Sequence, residues 1–193
     1  MKSDIILAGV GGQGILSIAA VVGYAAVNKK LFLKQSEVHG MSVRGGAVQS
    51  NLRLSDKEIY SDVISIGKAN LIISVEPMEA LRYLPWLSKD GWLVTNSKPF
   101  SNISDYPEID QVYDNIKSVS NNIIIDAASM ASQIKSPRSS NMIVLGAAIP
   151  FLPFEWEDFE TGINQLFGSK GKELVDKNLE ALRLGKEFAE SRN

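Results

Sequence analysis

Asp4-Ile5-Ile6-Leu7-Ala8-Gly9-Val10-Gly11-Gly12-Gln13-Gly14, followed at once by the apolar-rich segment 15–28, is the stretch that decides the fold class. The run at 4–8 is short, apolar and closed by glycine, as expected of a parallel strand buried on both faces. The glycines then turn the chain. Ile15, Ile18, Ala19, Val22 and Ala26 recur at helical spacing, which predicts a helix over 15–28. Leu31-Phe32-Leu33, flanked by lysines, reads as a second strand. Strand, glycine turn, helix and strand in this order open a Rossmann-like, doubly wound α/β sheet.

Working outward, residues 37–46 carry no periodicity and three glycines, and read as a loop. Residues 47–54 alternate as a strand, with Glu58-Ile59-Tyr60 as its hairpin mate, an insertion into the βα alternation. The alternation resumes with a strand at 71–75, a helix from Pro77 to about Leu87, a strand at 91–95, a helix at 109–119, a strand at 122–125 and a helix at 126–135. From Asn141 onward the pattern is helical: a helix apolar on nearly every side at 141–151, then amphipathic helices at 155–167 and 172–191. The fold class is therefore α/β, a mostly parallel sheet with an inserted hairpin and a helical C-terminal segment. We expect one domain over 1–193, with 1–135 as its sheet part and 136–193 as its helical part.

Composition narrows the chemistry. The 193 residues include no cysteine and one histidine, His39. Disulfides, cysteine nucleophiles and thiolate-held zinc or iron–sulfur sites are thereby excluded for this chain alone, and a Ser-His-Asp triad would have to use His39. No catalytic residue and no metal site is expected. With 20 Lys+Arg against 22 Asp+Glu there is no overall drive toward nucleic acid. The longest apolar stretch, 142–154, has 13 residues and two prolines, short of the roughly 20 a membrane span needs. No secretory pattern precedes the first strand. A soluble, cytoplasmic protein is expected.

Two segments carry candidate chemistry. Gly9, Gly11 and Gly14 match G-x-G-x-x-G between a strand and a helix, with Gly12 and Gln13 in the variable positions. Such a turn brings backbone N–H groups and the positive end of a helix to a phosphate; the same glycines also serve a turn that only has to be tight. A dinucleotide site further wants an acid about 20 residues on. Glu37, 23 residues after Gly14, is displaced past the apparent end of strand two. The second segment is Ser36-Glu37-Val38-His39-Gly40-Met41-Ser42-Val43-Arg44-Gly45-Gly46. Arg44 beside Gly45 and Gly46 suits a carboxylate or phosphate, and residues 29–53 hold five basic side chains against the single acid Glu37. His39 alone reads more simply as a histidine bonded to backbone. Ser139 or Ser140 is expected to cap the buried helix. Glu76-Pro77 fits a ligand contact or an ordinary first helical turn.

Taken together, the residue 9–14 turn and the residue 36–46 segment resemble the gamma-type subunits of 2-oxoacid:ferredoxin oxidoreductases. The His-Gly-Met-Ser run ahead of Arg-Gly-Gly resembles above all the small (beta) subunits of the indolepyruvate type. Gly67-Lys68-Ala69-Asn70, Glu76-Pro77, Ser140-Asn141-Met142, Leu145-Gly146 and Asn178-Leu179-Glu180-Ala181 with Gly185 extend the likeness over nearly the whole chain, Asn70 standing where the family usually has Asp. The resemblance implies a subunit, inactive alone, of an enzyme that decarboxylates an aryl 2-oxoacid on thiamine diphosphate, passes electrons through iron–sulfur clusters to ferredoxin and forms an acyl-CoA. It implies that thiamine diphosphate, magnesium and the clusters sit in a large partner subunit. This chain has neither cysteines nor the Gly-Asp-Gly that begins a thiamine diphosphate motif. Gly9, Gly11, Gly12, Gln13 and Gly14 are then candidates for an anion, CoA or interface contact. Glu37, His39, Arg44, Gly45 and Gly46 are candidates for an active-site or interface contact. The alternative is a stand-alone NAD(P)-binding dehydrogenase using the glycine turn. Adenylating enzymes of the ubiquitin-activating type share such a turn but usually carry cysteines, and a tubulin-like GTPase needs a second phosphate loop.

Overall fold

In a computed structural model, which describes residues 1–40, 45–101 and 105–192, six strands form one sheet in the order β2-β3-β1-β4-β5-β6. The strands are β1 (Lys2–Val10), β2 (Phe32–His39), β3 (Ala47–Ser55), β4 (Ala69–Ser74), β5 (Leu87–Asn96) and β6 (Asn122–Ile125). β1, β4, β5 and β6 run parallel; β3 runs antiparallel to both of its neighbours, β1 and β2. The helices are α1 (Ile15–Asn28), α2 (Pro77–Arg82), α3 (Ile109–Lys117), α4 (Ala127–Gln133), α5 (Ser140–Ala148), α6 (Trp156–Phe167) and α7 (Lys172–Glu190).

The central strands are apolar throughout because both faces of the sheet are covered. On one face Ile5, Leu7, Leu52, Leu71 and Ile73 join α1, α4, α5, α6 and α7 in one buried cluster. On the other, Ile6, Ala8, Ile72 and Leu93 pack with residues of α2, α3 and the segment around Ile64. Each fully buried isoleucine or leucine contributes about 2 kcal/mol of transfer free energy.

Three expectations need correction. The second strand is longer than its apolar part, so Glu37 and His39 lie in β2, not in a loop; its polar residues are tolerated because β2 is an edge. The hairpin mate of β3 is β2, paired from Phe32 with Ser55 to His39 with Val48, and not residues 58–60. Residues 61–64 instead lie against the sheet, where Arg53 donates to the carbonyls of Ser61 (2.9 Å) and Val63 (3.2 Å) and pairs with the buried Asp4 carboxylate at 2.7 Å. Finally, the helix after Pro77 stops at Arg82; a 3-10 turn at Leu84–Trp86 leads straight into β5, which starts at Leu87.

The helical C-terminal segment is built by close backbone approach. Gly146 of α5 and Gly185 of α7 face each other where the two helices cross. A Cβ on Gly146 would overlap the Leu182 carbonyl oxygen. One on Gly185 would fall nearer still to that of Ile143. Gly162 of α6 similarly lies against the Val21 carbonyl of α1. Among the described residues no helix is long and apolar enough to cross a membrane.

Candidate functional site

The glycine turn locks itself. The Val10 N–H donates to Gln13 Oε1 at 2.8 Å and the Gln13 N–H to the Val10 carbonyl at 3.1 Å. The Gly11 N–H donates to Gly46 O at 2.8 Å, and the Gly45 N–H to Gly11 O at 3.3 Å. The two glycine-rich segments singled out in the sequence are therefore joined backbone to backbone. Gly9 closes β1 against Val75. Gly14 caps α1 with φ +81, and the Asn141 side-chain amide donates to its carbonyl at 3.0 Å. A Cβ at Gly14 would sit 2.5 Å from that amide nitrogen. Absence of a side chain thus lets α5 dock its first turn on the first turn of α1.

That docking makes a cleft of about 830 Å³ at the C-terminal end of the parallel strands, where open α/β sheets bind ligands. Its walls are Gly12, Gln13 and Gly14, the strand ends at Val75 and Asn96, the 135–141 segment, and Phe167, Lys170, Leu174 and Asn178. Three cations line it, Lys135, Arg138 and Lys170, and the lining includes no carboxylate. The first turns of α1 and α5 add their positive dipole ends, although the Ser17 N–H already donates to the Gly14 carbonyl and the Met142 N–H to Asn141 Oδ1. Four serines line it as well, Ser17, Ser136, Ser139 and Ser140, with Val144. Ser139 holds the cap position of α5, but its hydroxyl bonds that of Ser136 at 2.8 Å instead of a helix N–H. Lys135 adopts φ +54, a left-handed conformation that costs a non-glycine residue about 1 kcal/mol or more. Asn96 spans the floor, its amide donating to Val75 O and its Oδ1 accepting from Ala127 N. The chemistry of this lining suits an anion better than a cation.

Glu37 and His39 are not in this cleft. They are exposed on β2 and hydrogen-bonded to each other at 3.1 Å, with Gln35 also donating to Glu37. β3 stands between β2 and β1, which puts Glu37 two strand spacings, roughly 9.5 Å, from the strand that carries the turn. This removes the ribose contact a dinucleotide site requires, and with it the dehydrogenase reading. Arg44 lies outside the described residues.

Glu76 proves structural. Buried at the end of β4, it caps α2 through Glu79 N (2.7 Å) and accepts from Tyr106 Oη (2.6 Å) and Phe100 N (3.2 Å). Burial and this carboxylate push the Tyr106 phenol far above its ordinary range.

Sequence reasoning missed Lys135, Arg138, Lys170, Asn96 and Asn178. One signal was available for the first two: Lys135-Ser136-Pro137-Arg138-Ser139-Ser140 places two cations among serines just before a buried helix. Lys170 and Asn178 reach the cleft only through the packing of α7.

Comparison with known proteins places the fold and the family. A match to the family "Pyruvate ferredoxin/flavodoxin oxidoreductase" spans residues 4–188. The indolepyruvate oxidoreductase subunit IorB of Archaeoglobus fulgidus is 32% identical, covering 96% of this chain and 94% of that one. Among solved structures, a keto/oxoacid ferredoxin oxidoreductase gamma subunit from Geobacter sulfurreducens superposes with a TM-score of 0.71 at 20% identity, covering 98% of this chain and 99% of that one. The 2-oxoglutarate:ferredoxin oxidoreductase from Magnetococcus marinus, solved with 2-oxoglutarate, coenzyme A and succinyl-CoA bound, gives 0.77 at 21% identity. There the likeness covers 98% of this chain but 31% of the other, so the same fold is one part of a longer polypeptide. These two likenesses carry the fold, and the family match carries the kinship: the chain belongs to the pyruvate ferredoxin/flavodoxin oxidoreductase family.

Proposed function

We propose that this chain is the small, cluster-free subunit of a 2-oxoacid:ferredoxin oxidoreductase of the indolepyruvate type, and that its cleft holds the phosphate-bearing end of coenzyme A. The observation that carries the reading is the cleft itself: Lys135, Arg138 and Lys170 without an opposing carboxylate, between two helix N-termini. In this reading residues 1–193 act as one gamma-type domain in the cytoplasm. The glycine turn, through Gly12, Gln13 and Gly14, bounds the CoA site, while Gly45 and Gly46 border the partner's active site.

This chain's residues do not fit the redox and thiamine chemistry. It has no cysteine, and the described residues hold no group of three His, Asp or Glu able to hold a metal. In this reading, which rests on the family resemblance, decarboxylation of the 2-oxoacid and electron transfer to ferredoxin belong to a large partner subunit carrying thiamine diphosphate, magnesium and iron–sulfur clusters. The small subunit binds the co-substrate and orients it.

The test uses the reconstituted two-subunit enzyme with indolepyruvate and an electron acceptor. Arg138→Ala and Lys170→Ala are expected to raise the KM for CoA at least tenfold each, with kcat changed less than twofold, because a surface-accessible cation binds ground and transition states alike. The lone chain is expected to show no turnover. Turnover by the lone chain would sink the subunit reading; an unchanged KM in both variants would remove CoA from the cleft.

A further inference from the structure

The cleft does not end at Asn96. Four of its lining residues, Gln13, Asn96, Pro137 and Ser140, also line a second hollow of about 250 Å³, which adds Lys98 and Phe100. Phe100 in turn lines a third hollow, of about 150 Å³, with Gly45, Glu76, Met78, Glu79 and Arg82. The three follow the C-terminal ends of the strands, from the face covered by α5 and α7 to the face covered by α2. Charge changes sign along this track. The cleft has Lys135, Arg138 and Lys170 and no carboxylate, and the middle hollow has Lys98 as its one charged side chain among the described residues. The third hollow has Glu76 and Glu79 against Arg82. A phosphate is drawn to the first end and repelled from the last. A long ligand with an anionic head and an uncharged arm therefore fits in one direction.

The crossing between the hollows is pinned in place. The Ser97 N–H donates to Ile125 O at 2.9 Å, Ser97 O accepts from Tyr113 Oη at 2.7 Å, and the Phe100 N–H donates to Glu76 Oε1 at 3.2 Å. On this anchored backbone the Phe100 ring is still 40% exposed. Gln13 supplies the polar group. Its Oε1 is taken by the Val10 N–H at 2.8 Å, which leaves its Nε2 without a partner among the described residues, on a wall shared by the first two hollows. A fixed apolar ring with one convergent donor is the usual lining of a small-molecule site.

We infer that Phe100 is a positioning residue: the uncharged arm of coenzyme A leaves the cleft over Gln13 and lies against the Phe100 ring, so that its thiol end emerges beside Gly45 and Met78. The arm carries amide carbonyls, which accept from Gln13 Nε2, and methylene groups, which pack on the ring. The phosphates stay with the three cations. The inference rests on the reading that CoA occupies the cleft, and it deepens that reading by giving the bound molecule a direction. The face of the sheet covered by α2 is then the side on which this chain presents the thiol to the partner's active site.

The experiment separates arm from head. In the reconstituted two-subunit enzyme, Phe100→Ala removes the ring and Phe100→Trp crowds the crossing, with melting of each lone variant as the folding check. Each is expected to lower kcat/KM for CoA at least tenfold. The inhibition constant of adenosine bisphosphate, which is the head of CoA without its arm, is expected to change less than twofold, and Phe100→Leu to recover most of the lost turnover. The thiol's exit is read in the full-length chain, which is free of cysteine. Met78→Cys puts a single thiol in the third hollow, and Ile66→Cys puts one at an exposed position outside all three. Exchange with CoA disulfide, relative to exchange with hydroxyethyl disulfide, is expected to be at least tenfold faster at Met78→Cys, and excess adenosine bisphosphate is expected to abolish that preference. Wild-type kcat/KM in both Phe100→Ala and Phe100→Trp, or no preference at Met78→Cys, would overturn the track while leaving CoA in the cleft. Weakened adenosine bisphosphate binding in Phe100→Ala would make the ring part of the cleft wall and overturn its positioning role. Arg138→Ala and Lys170→Ala that bind both CoA and adenosine bisphosphate normally would overturn the reading on which the track rests.

Discussion

Gly14 shows how much a single missing side chain decides. Its φ of +81 favours glycine, and its Cβ position is already occupied by the Asn141 amide that holds α5 to α1. Gly14→Ala is expected to cost about 2 kcal/mol, combining left-handed strain with displacement of Asn141, and to widen the cleft. Chemical denaturation of the lone chain, beside CoA titration of the complex, checks both effects. Asp126 acts on the same scale. It caps α4, accepting from Ser129 N at 3.0 Å and Ser129 Oγ at 2.7 Å, and these bonds hold its carboxyl below the ordinary 3.8. A depressed folded-state pKa contributes stability that is present above the unfolded value and lost as pH falls through the folded one. Asp126→Ala should therefore cost about 1 kcal/mol near neutral pH. The gap to wild type should shrink once the pH drops below about 4. Melting curves across that range decide it; a gap that persists at low pH would contradict the assignment.

At the scale of elements, the crossing of α5 and α7 is the contact on which the cleft depends. α7 delivers Leu174 and Asn178 to the cleft wall, and the 3-10 turn Gly168–Lys170 before it delivers Lys170. The helices meet backbone to backbone at Gly146 and Gly185, where a methyl group would overlap carbonyl oxygens. Gly185→Ala is expected to destabilise by about 3 kcal/mol, since overpacking against backbone cannot be relieved by a rotamer change. A larger loss of CoA affinity than in Gly14→Ala should follow, because the whole α7 wall moves. An unchanged melting temperature would show that the helices cross elsewhere. The β2–β3 hairpin shows the opposite economy. β2 needs no apolar alternation, since it is an edge whose residues are exposed, and so Gln35, Glu37 and His39 resemble loop residues in the sequence while pairing regularly with β3.

For the molecule as a whole, a chain of net charge −2 gathers three cations and no carboxylate into one cleft, and turns an uncharged helix to its surface beside the edge strand. The order of charge matters here more than its sum. The parallel α/β core, the glycine turn after β1 and the span of α1 were all legible in the sequence, as was the absence of cysteine ligands, because each follows from near-neighbour chemistry. Periodicity sets a helix, a glycine permits a turn, and a missing cysteine removes a ligand wherever it would have been. The strand order was not legible. Whether β3 inserts between β1 and β2 depends on pairing between segments far apart in the chain, and no local pattern in 32–39 or 47–55 records it. That pairing moved Glu37 out of ribose reach. The cleft was hidden for the same reason: Gly14, Asn96, Arg138, Lys170 and Asn178 become neighbours only when α5 and α7 fold back over the strand ends. Sequence determined what this chain cannot hold; tertiary packing alone decided where its positive charge is concentrated.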